Sequence, residues 1–100
     1  MTVISISFIK KCIDEVLKRI NNKSIKSISL FGSYAKGLAK ASSDVDLFVD
    51  VETGFSLFDL ADLQIELEKA LGKKVDLVTK SDDQYFMNHI QKEKITLYEK

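Results

Sequence analysis

Two short motifs in the sequence carry residue types that act on phosphate groups and metal ions. Gly32-Ser33 is followed, eleven residues after the serine, by Asp44-Val45-Asp46. Residues two apart in a β-strand project from the same face, so Asp44 and Asp46 are expected side by side, about 6–7 Å apart. Mg²⁺ is bound by a few carboxylates together with phosphate oxygens. The spacing therefore predicts a metal site on one open face of a strand.

A third carboxylate is expected from Asp76, which lies in the strand-like segment 74–79. The apolar residues on either side of Asp76 point to the opposite face. If this strand pairs beside the one that carries Asp46, three carboxylates share a face and can hold two metal ions roughly 3.5–4 Å apart, as in phosphoryl transfer. Asp76 is also the candidate general base. Asp50 lies about 13 Å beyond Asp46 along the strand and is expected to be a solvated charge.

Gly32 and Ser33 are expected to contact the phosphates of a nucleotide. A glycine allows the backbone to approach a ligand closely, and a serine that opens a helix offers backbone N–H groups and a hydroxyl to an anion. A short helix is predicted over Tyr34–Lys40, in which Lys36 adds positive charge near the phosphates. Tyr34 either stacks on a base or covers the edge of the sheet.

The same residues also have ordinary structural interpretations. A pair of aspartates is common in a chain with 15 acidic residues among 100, and Ser33 is a typical helix N-cap. The joint occurrence of the two motifs in this order favours a site for nucleotide chemistry. Cys12 lies among apolar residues at helical spacing and is predicted to be buried rather than nucleophilic. His89 has no second histidine or cysteine nearby, so packing or a surface hydrogen bond is expected there.

Apolar periodicity and capping residues predict the elements that position these side chains. The predicted order is helix, strand, short helix, strand, helix, strand, helix, and an edge strand at the tail. The first helix is predicted over residues 5–21 and the first strand over Ile28–Phe31. The third helix should begin at Ser56 with a capping box and end at Gly72. A further capping-box start is predicted in Ser81–Gln84 and an edge strand near residues 95–97.

Composition limits the class of protein. The chain has 100 residues, of which 45% are hydrophobic and 30% charged, which predicts one globular domain over residues 1–100. Its formal net charge of zero argues against direct binding of long nucleic acids or of anionic membranes. The sequence shows no apolar run of membrane-spanning length and no secretory leader pattern. One cysteine fits the reducing cytoplasm, where we expect the protein to reside.

The motifs together resemble the DNA polymerase beta superfamily of nucleotidyltransferases. The segments FGSYAKG (residues 31–37) and SDVDL (residues 43–47) are similar to those of minimal nucleotidyltransferases, or MNT proteins, and the resemblance spans nearly the whole chain. It implies an α/β (α+β) polymerase-beta-like fold, with a small mixed sheet flanked by helices. Lys36 departs from the family pattern, which often has arginine there. Lysine keeps the positive charge but lacks the planar guanidinium group, which can bind a phosphate through two hydrogen bonds at once.

The resemblance also implies an activity. MNT proteins use Mg²⁺ and transfer a nucleoside monophosphate, here AMP from ATP, with release of pyrophosphate. They accompany HEPN ribonuclease toxins as antitoxins, so the implied acceptor is a tyrosine of a cognate HEPN-domain toxin. The residues at the family's motif positions are Asp44, Asp46 and Asp76 for catalysis and metal binding, and Gly32, Ser33 and Lys36 for nucleotide binding, with lysine at position 36 in place of the frequent arginine.

Two other functions remain open at this stage. The chain could be an antitoxin that neutralises its toxin by steric binding alone, although the presence of all three carboxylates favours catalysis. It could also transfer a nucleotide to a small molecule, as aminoglycoside-modifying relatives do with the help of a second domain. The role of the toxin itself is disfavoured, because HEPN ribonucleases carry an arginine followed several residues later by histidine, whereas Arg19 and His89 stand far apart.

Overall fold

Helices and strands alternate along the chain in the computed structural model, which describes residues 3–100. The elements are α1 (Ile6–Ile20), β1 (Ile25–Phe31), α2 (Gly32–Lys36), β2 (Val45–Val51), α3 (Leu57–Leu71), β3 (Val75–Val78), α4 (Gln84–Glu93) and β4 (Ile95–Glu99). The order predicted from the sequence is confirmed, including the final strand. No helix within the described range is both long and apolar enough to cross a bilayer.

The strands form one mixed sheet in the order β3-β2-β1-β4. Strand β1 runs antiparallel to both β2 and β4, whereas β2 and β3 are parallel. Parallel neighbours need a connection that returns the chain to the same end of the sheet, and α3 supplies it. The predicted small mixed sheet flanked by helices is therefore confirmed. The neighbouring positions of the strands that carry Asp46 and Asp76 are confirmed as well.

Side-chain caps fix the starts of the three longer helices. The Ser5 side chain accepts a hydrogen bond from a backbone N–H of α1, and Ser56 and Asp59 form the predicted capping box of α3. Gly72 ends α3 in the left-handed conformation, with φ of 67°. Helix α4 begins in the predicted segment, but its N-cap is Asp83 rather than a serine, because the Asp83 carboxylate accepts the hydrogen bond of the first turn.

Two predicted boundaries next to the candidate site were wrong. Strand β1 begins at Ile25 instead of Ile28, because Ile25 is buried and pairs with the last residue of β2. Helix α2 spans Gly32–Lys36 rather than Tyr34–Lys40. It stops early because Gly37 adopts a positive φ of 74°, which turns the chain out of the helix.

The main core lies between one face of the sheet and helices α1 and α3. Val45, Leu47 and Val49 alternate along β2 and are completely buried on this face. Cys12 of α1 belongs to the same core, with 4% of its surface exposed, and it fills space there as expected. Strand β2 is thus held firmly from one side, which orients the side chains on its other face.

The opposite face of β2 is only partly open. Phe48 projects from this face and is buried in a second cluster with Met87 and Ile90 of α4. The strand face that carries Asp44 and Asp46 was predicted to be open. That expectation was wrong for the middle of the strand, because α4 packs across it, and the acidic residues lie towards the start of β2.

Candidate active site

Strands β2 and β3 bring two of the predicted carboxylates together. Asp46 and Asp76 are register partners in the parallel pair, so they project from the same face of adjacent strands about 4.8 Å apart. Asp44 immediately precedes β2, two residues from Asp46. Asp44 and Asp76 are exposed, whereas Asp46 is partly buried. The predicted placement of Asp46 and Asp76 on one face of neighbouring strands is therefore confirmed.

The three carboxylates influence one another electrostatically. Burial raises the pKa of Asp46 above its ordinary value, and the negative charges of Asp76 and Asp44 raise it further. A carboxylate whose ionisation is disfavoured by like charges is stabilised when a cation binds between them. The donors are all hard oxygen atoms, which is the ligand chemistry that Mg²⁺ prefers.

The metal-binding geometry is not preformed in the side chains. Within residues 3–100, no three acidic, histidine or cysteine side chains are gathered closely enough to hold a single ion. Binding of one ion by Asp44, Asp46 and Asp76 together would therefore require their side chains to rotate. The backbone pairing, which rotation does not change, already places Asp46 and Asp76 on one face, and Asp44 immediately precedes β2.

Gly32 lies directly beside this acidic group. It occupies the first position of α2 with a positive φ of 72°, a conformation that side-chain-bearing residues rarely adopt. A β-carbon at Gly32 would collide with the carboxylate of Asp46. The backbone conformation thus favours glycine, and any larger residue would force the Asp46 carboxylate to move.

Ser33 occupies the second position of α2. The N-cap of this helix is Phe31, whose side chain makes no capping hydrogen bond. The interpretation of Ser33 as an ordinary N-cap was therefore wrong. The first backbone N–H groups of a helix lack intrahelical acceptors, so those around Ser33 can bind an anion.

Lys36 points towards α4 in this structure. Its Nζ lies 3.3 Å from Oε1 of Glu93, and Nε2 of His89 lies 3.3 Å from the other oxygen of the same carboxylate. The expected surface contact of His89 is confirmed by this pair. The predicted contact of Lys36 with phosphate stays a prediction, and it would require Lys36 to leave Glu93.

Tyr34 is a core residue. Only 4% of its surface is exposed and it packs in the cluster between the sheet and α1 and α3. Its hydroxyl is buried without a hydrogen-bond partner among the described residues. Stacking of Tyr34 on a base, one of the two roles considered from the sequence, is excluded by this burial.

Sequence reasoning missed a set of polar contacts behind the site. Lys73 is buried, and its Nζ donates a hydrogen bond to the Ala41 carbonyl at 2.7 Å. Gln64 and Glu68 of α3 bond the backbone carbonyl and N–H of Val75, at 3.1 and 2.9 Å. Lysine and glutamate at helix ends and surfaces resemble ordinary solvated charges in a sequence, so no local pattern distinguishes these residues.

A family model for polymerase beta nucleotidyltransferases matches residues 11–100 of this sequence. The match covers most of the chain, including every element that carries a site residue. The chain belongs to the polymerase beta nucleotidyltransferase family. The resemblance inferred from the two motifs is thereby confirmed.

Relatives with assigned activities are protein adenylyltransferases. The protein adenylyltransferase MntA of Thermococcus cleftensis is 49% identical over 57 residues, which cover 57% of this chain and 58% of MntA. A candidate protein adenylyltransferase of Methanocaldococcus jannaschii is 40% identical over 78 residues, covering 77% of this chain and 80% of that protein. The chain thus spans somewhat more than half of MntA and most of the second relative.

Solved structures share the fold. A candidate minimal nucleotidyltransferase superposes with a TM-score of 0.77 and 29% identity, over 92% of this chain and 95% of that one. A toxin–antitoxin crystal structure with AMP-PNP gives a TM-score of 0.76 and 26% identity, over 91% and 73%. A tri-AMPylated Shewanella oneidensis HEPN toxin in complex with its MNT antitoxin gives 0.70 and 23%, over 94% and 72%. The polymerase-beta-like fold expected from the sequence is confirmed.

Proposed function

We propose that this protein is a Mg²⁺-dependent protein adenylyltransferase that transfers AMP from ATP to a tyrosine of a cognate HEPN-domain toxin and thereby acts as its antitoxin. The observation that carries the proposal is the pairing of Asp46 with Asp76 on adjacent strands, with Gly32 packed against Asp46. The assigned activity of the relatives and the similarity to a toxin–antitoxin structure with AMP-PNP support the nucleotide and the partner.

The proposed reaction assigns a role to each site residue. Asp44, Asp46 and Asp76 hold Mg²⁺, which when bound neutralises charge on the triphosphate. Gly32 and Ser33 contact the phosphates through backbone N–H groups. Asp76 accepts the proton of the tyrosine hydroxyl while the tyrosine oxygen forms a bond to the α-phosphorus of ATP. The bond from that phosphorus to the bridging oxygen breaks, and pyrophosphate leaves.

Lys36 contributes positive charge to the triphosphate in this proposal. Its pair with Glu93 is partly exposed, with 43% of the lysine side chain accessible. Exposed ion pairs contribute only about 0.2–1 kcal/mol, so a phosphate can displace Glu93 at little cost. In this proposal Lys36 contacts Glu93 in the nucleotide-free protein and the triphosphate in the nucleotide-bound protein.

A steric antitoxin is the second candidate function. Leu57 and Phe58, adjacent residues at the start of α3, are 83% and 82% exposed, and Tyr85 of α4 is 84% exposed. Large apolar and aromatic side chains on a surface are typical of protein interfaces. Such a surface would bind a toxin whether or not AMP is transferred. For either function we place the protein in the cytoplasm, where its one cysteine stays reduced.

The test is the mass of a co-encoded HEPN-domain partner after incubation with this protein, ATP and Mg²⁺. We expect the partner to gain whole adenylates. Asp44→Asn should slow the gain roughly a thousandfold if metal positioning supplies about 4 kcal/mol of barrier lowering. Asp50→Asn is the matched control, because Asp50 lies on the same face of β2 but about 13 Å from Asp46. An unchanged partner mass in a tight complex would establish the steric function instead.

A further inference from the structure

We propose that Lys73 is a positioning residue that fixes the loop before Asp44 relative to the strand that carries Asp76. The inference rests on the proposed function, in which these carboxylates hold a divalent ion. Lys73 lies between the end of α3 and the start of β3. Among the described residues, its side chain makes no hydrogen bond to Asp44 or Asp76. Its effect is exerted through the backbone of residues 37–44.

Lys73 is an unusual lysine because 92% of its surface is buried, with a relative exposure of 8%. Burying an ammonium group is unfavourable unless it is hydrogen-bonded, and ordering the long side chain costs conformational entropy. The compensating contact is the 2.7 Å hydrogen bond from its Nζ to the carbonyl of Ala41. Ala41 precedes Asp44 by three residues, in the loop that leads from α2 to β2.

The backbone on either side of Lys73 is held in place. The Gly72 N–H donates to the Glu68 carbonyl at 2.9 Å, and the Lys74 carbonyl accepts from the Val45 N–H at 3.0 Å. Gln64 and Glu68 then bond both backbone groups of Val75. The lysine side chain therefore extends from a segment that α3 and β2 fix on both sides.

The loop that Lys73 holds is a compact unit. The Lys40 N–H donates to Ser43 Oγ at 2.8 Å, and the Ser43 N–H donates back to the Lys40 carbonyl at 2.9 Å. Ala41 lies inside this turn, so anchoring its carbonyl anchors the turn as a whole. Asp44 follows directly, and its position relative to Asp76 depends on where the turn is held.

Lys73 thus links the starts of the two strands that carry the acidic residues. A residue behind a metal site that orients the ligands without touching the ion typically changes metal affinity when it is removed. The same substitution should loosen the turn even without metal. Weaker metal binding together with a loosened turn indicates a positioning role, whereas a general contribution to folding would loosen the whole sheet.

The experiment compares Lys73→Met, Lys73→Arg and Lys10→Met in the full chain. Methionine keeps much of the apolar stem but removes the charge and the donor, whereas arginine keeps both. Lys10→Met is the matched control, because Lys10 Nζ also donates to a backbone carbonyl, that of Leu97 at 3.0 Å. Mn²⁺ affinity is measured by titration, and amide hydrogen exchange of the metal-free protein is followed at Lys40, Ser43 and Val45.

Lys73→Met should weaken Mn²⁺ binding at least about tenfold and accelerate exchange at the three amides, while exchange in β1 and β4 is unchanged. Lys73→Arg should recover most of the affinity, and Lys10→Met should behave as wild type at both readouts. The proposal would be overturned if Lys73→Met bound Mn²⁺ as tightly as wild type and exchanged the three amides at the wild-type rate. If wild type binds no Mn²⁺, the metal site of the proposed function fails, and the exchange of Lys40, Ser43 and Val45 alone decides whether Lys73 holds the loop.

Discussion

The carboxylate of Asp46 lies against Gly32, in the space that a side chain on that glycine would need. The two residues belong to different motifs, and strand pairing brings them together, because Phe31 is the register partner of Asp46 across β1 and β2. The glycine of the Gly32-Ser33 motif, for which we propose phosphate contact, is thus also a packing partner of the acidic motif. A change at either residue should alter the other.

Gly32→Ala should abolish AMP transfer because the new methyl group displaces the Asp46 carboxylate. The positive φ adds backbone strain, and we expect the variant to lose about 1–2 kcal/mol of unfolding free energy. Urea denaturation measures the stability, and the partner mass assay measures the activity.

Gly37→Ala is the control for this strain. Gly37 has nearly the same φ, 74° against 72°, but no atom lies within 4 Å of the position of its missing β-carbon. Gly32→Ala should therefore lose at least as much stability as Gly37→Ala, and only Gly32→Ala should lose activity. Equal activities would show that contact with Asp46 is unimportant.

Asp46→Asn should make the metal-free protein more stable at neutral pH. The pKa of Asp46 is raised in the folded state, first by burial and then by Asp76 and Asp44, so the folded protein binds this proton more tightly than the unfolded chain does. Stability therefore falls as the pH rises from the ordinary aspartate pKa, about 3.9, through the raised value. The loss is complete above that value, and asparagine removes it.

Thermal unfolding with a chelator present measures this effect. The Tm of Asp46→Asn should exceed that of wild type at about pH 7, and the difference should shrink towards about pH 3. Mg²⁺ should raise the Tm of wild type more than that of the variant. A variant less stable than wild type at neutral pH would contradict the prediction, and Asp50→Asn on the same strand face provides the comparison.

Lys36→Met should raise the KM for ATP by roughly ten- to a hundredfold, since a hydrogen bond to a charged group contributes about 1.5–3 kcal/mol. Its stability should change little, because the pair with Glu93 is partly exposed. Glu93→Gln should lower the KM by releasing Lys36 from its competing partner. Lys69→Met, which removes an exposed lysine paired with Glu66, is the control. An unchanged KM in Lys36→Met would exclude the phosphate contact.

Cys12 should react slowly with thiol reagents in the folded protein. Burial raises the pKa of the Cys12 thiol, and the nearby Glu15 raises it further, so little reactive thiolate forms. Labelling should be more than about tenfold slower in buffer than in urea. Rapid labelling in buffer would show that the packing between α1 and α3 opens readily.

Strand alternation and helix capping were sufficient to predict the arrangement of the acidic residues. The neighbouring strand supplies Asp76 in register with Asp46, and Asp44, just before β2, is close enough to raise the pKa of Asp46. The prediction needed only local rules for strands and the correct pairing of β2 with β3. The specific roles of the carboxylates remain predictions until the metal and the nucleotide are tested.

Tertiary contacts decided the features that the sequence did not reveal. The burial of Phe48 depends on where α4 packs, and the burial of Lys73 depends on a loop more than thirty residues away in the sequence. Tyr34 could be exposed or buried until the packing around α2 was known. Lys36 similarly pairs with a residue from α4, which no pattern near Lys36 indicates.

The connection through α3 has a consequence for how the protein acquires activity as it folds. Strands β1 and β2 can pair early, which brings Gly32 next to Asp46, but Asp76 joins them only after α3 has folded back along the sheet. Contacts between residues distant in sequence form slowly, because the intervening chain must first be ordered. Under the proposed function, a chain emerging from the ribosome stays inactive until Asp76 has joined Asp46 in the sheet.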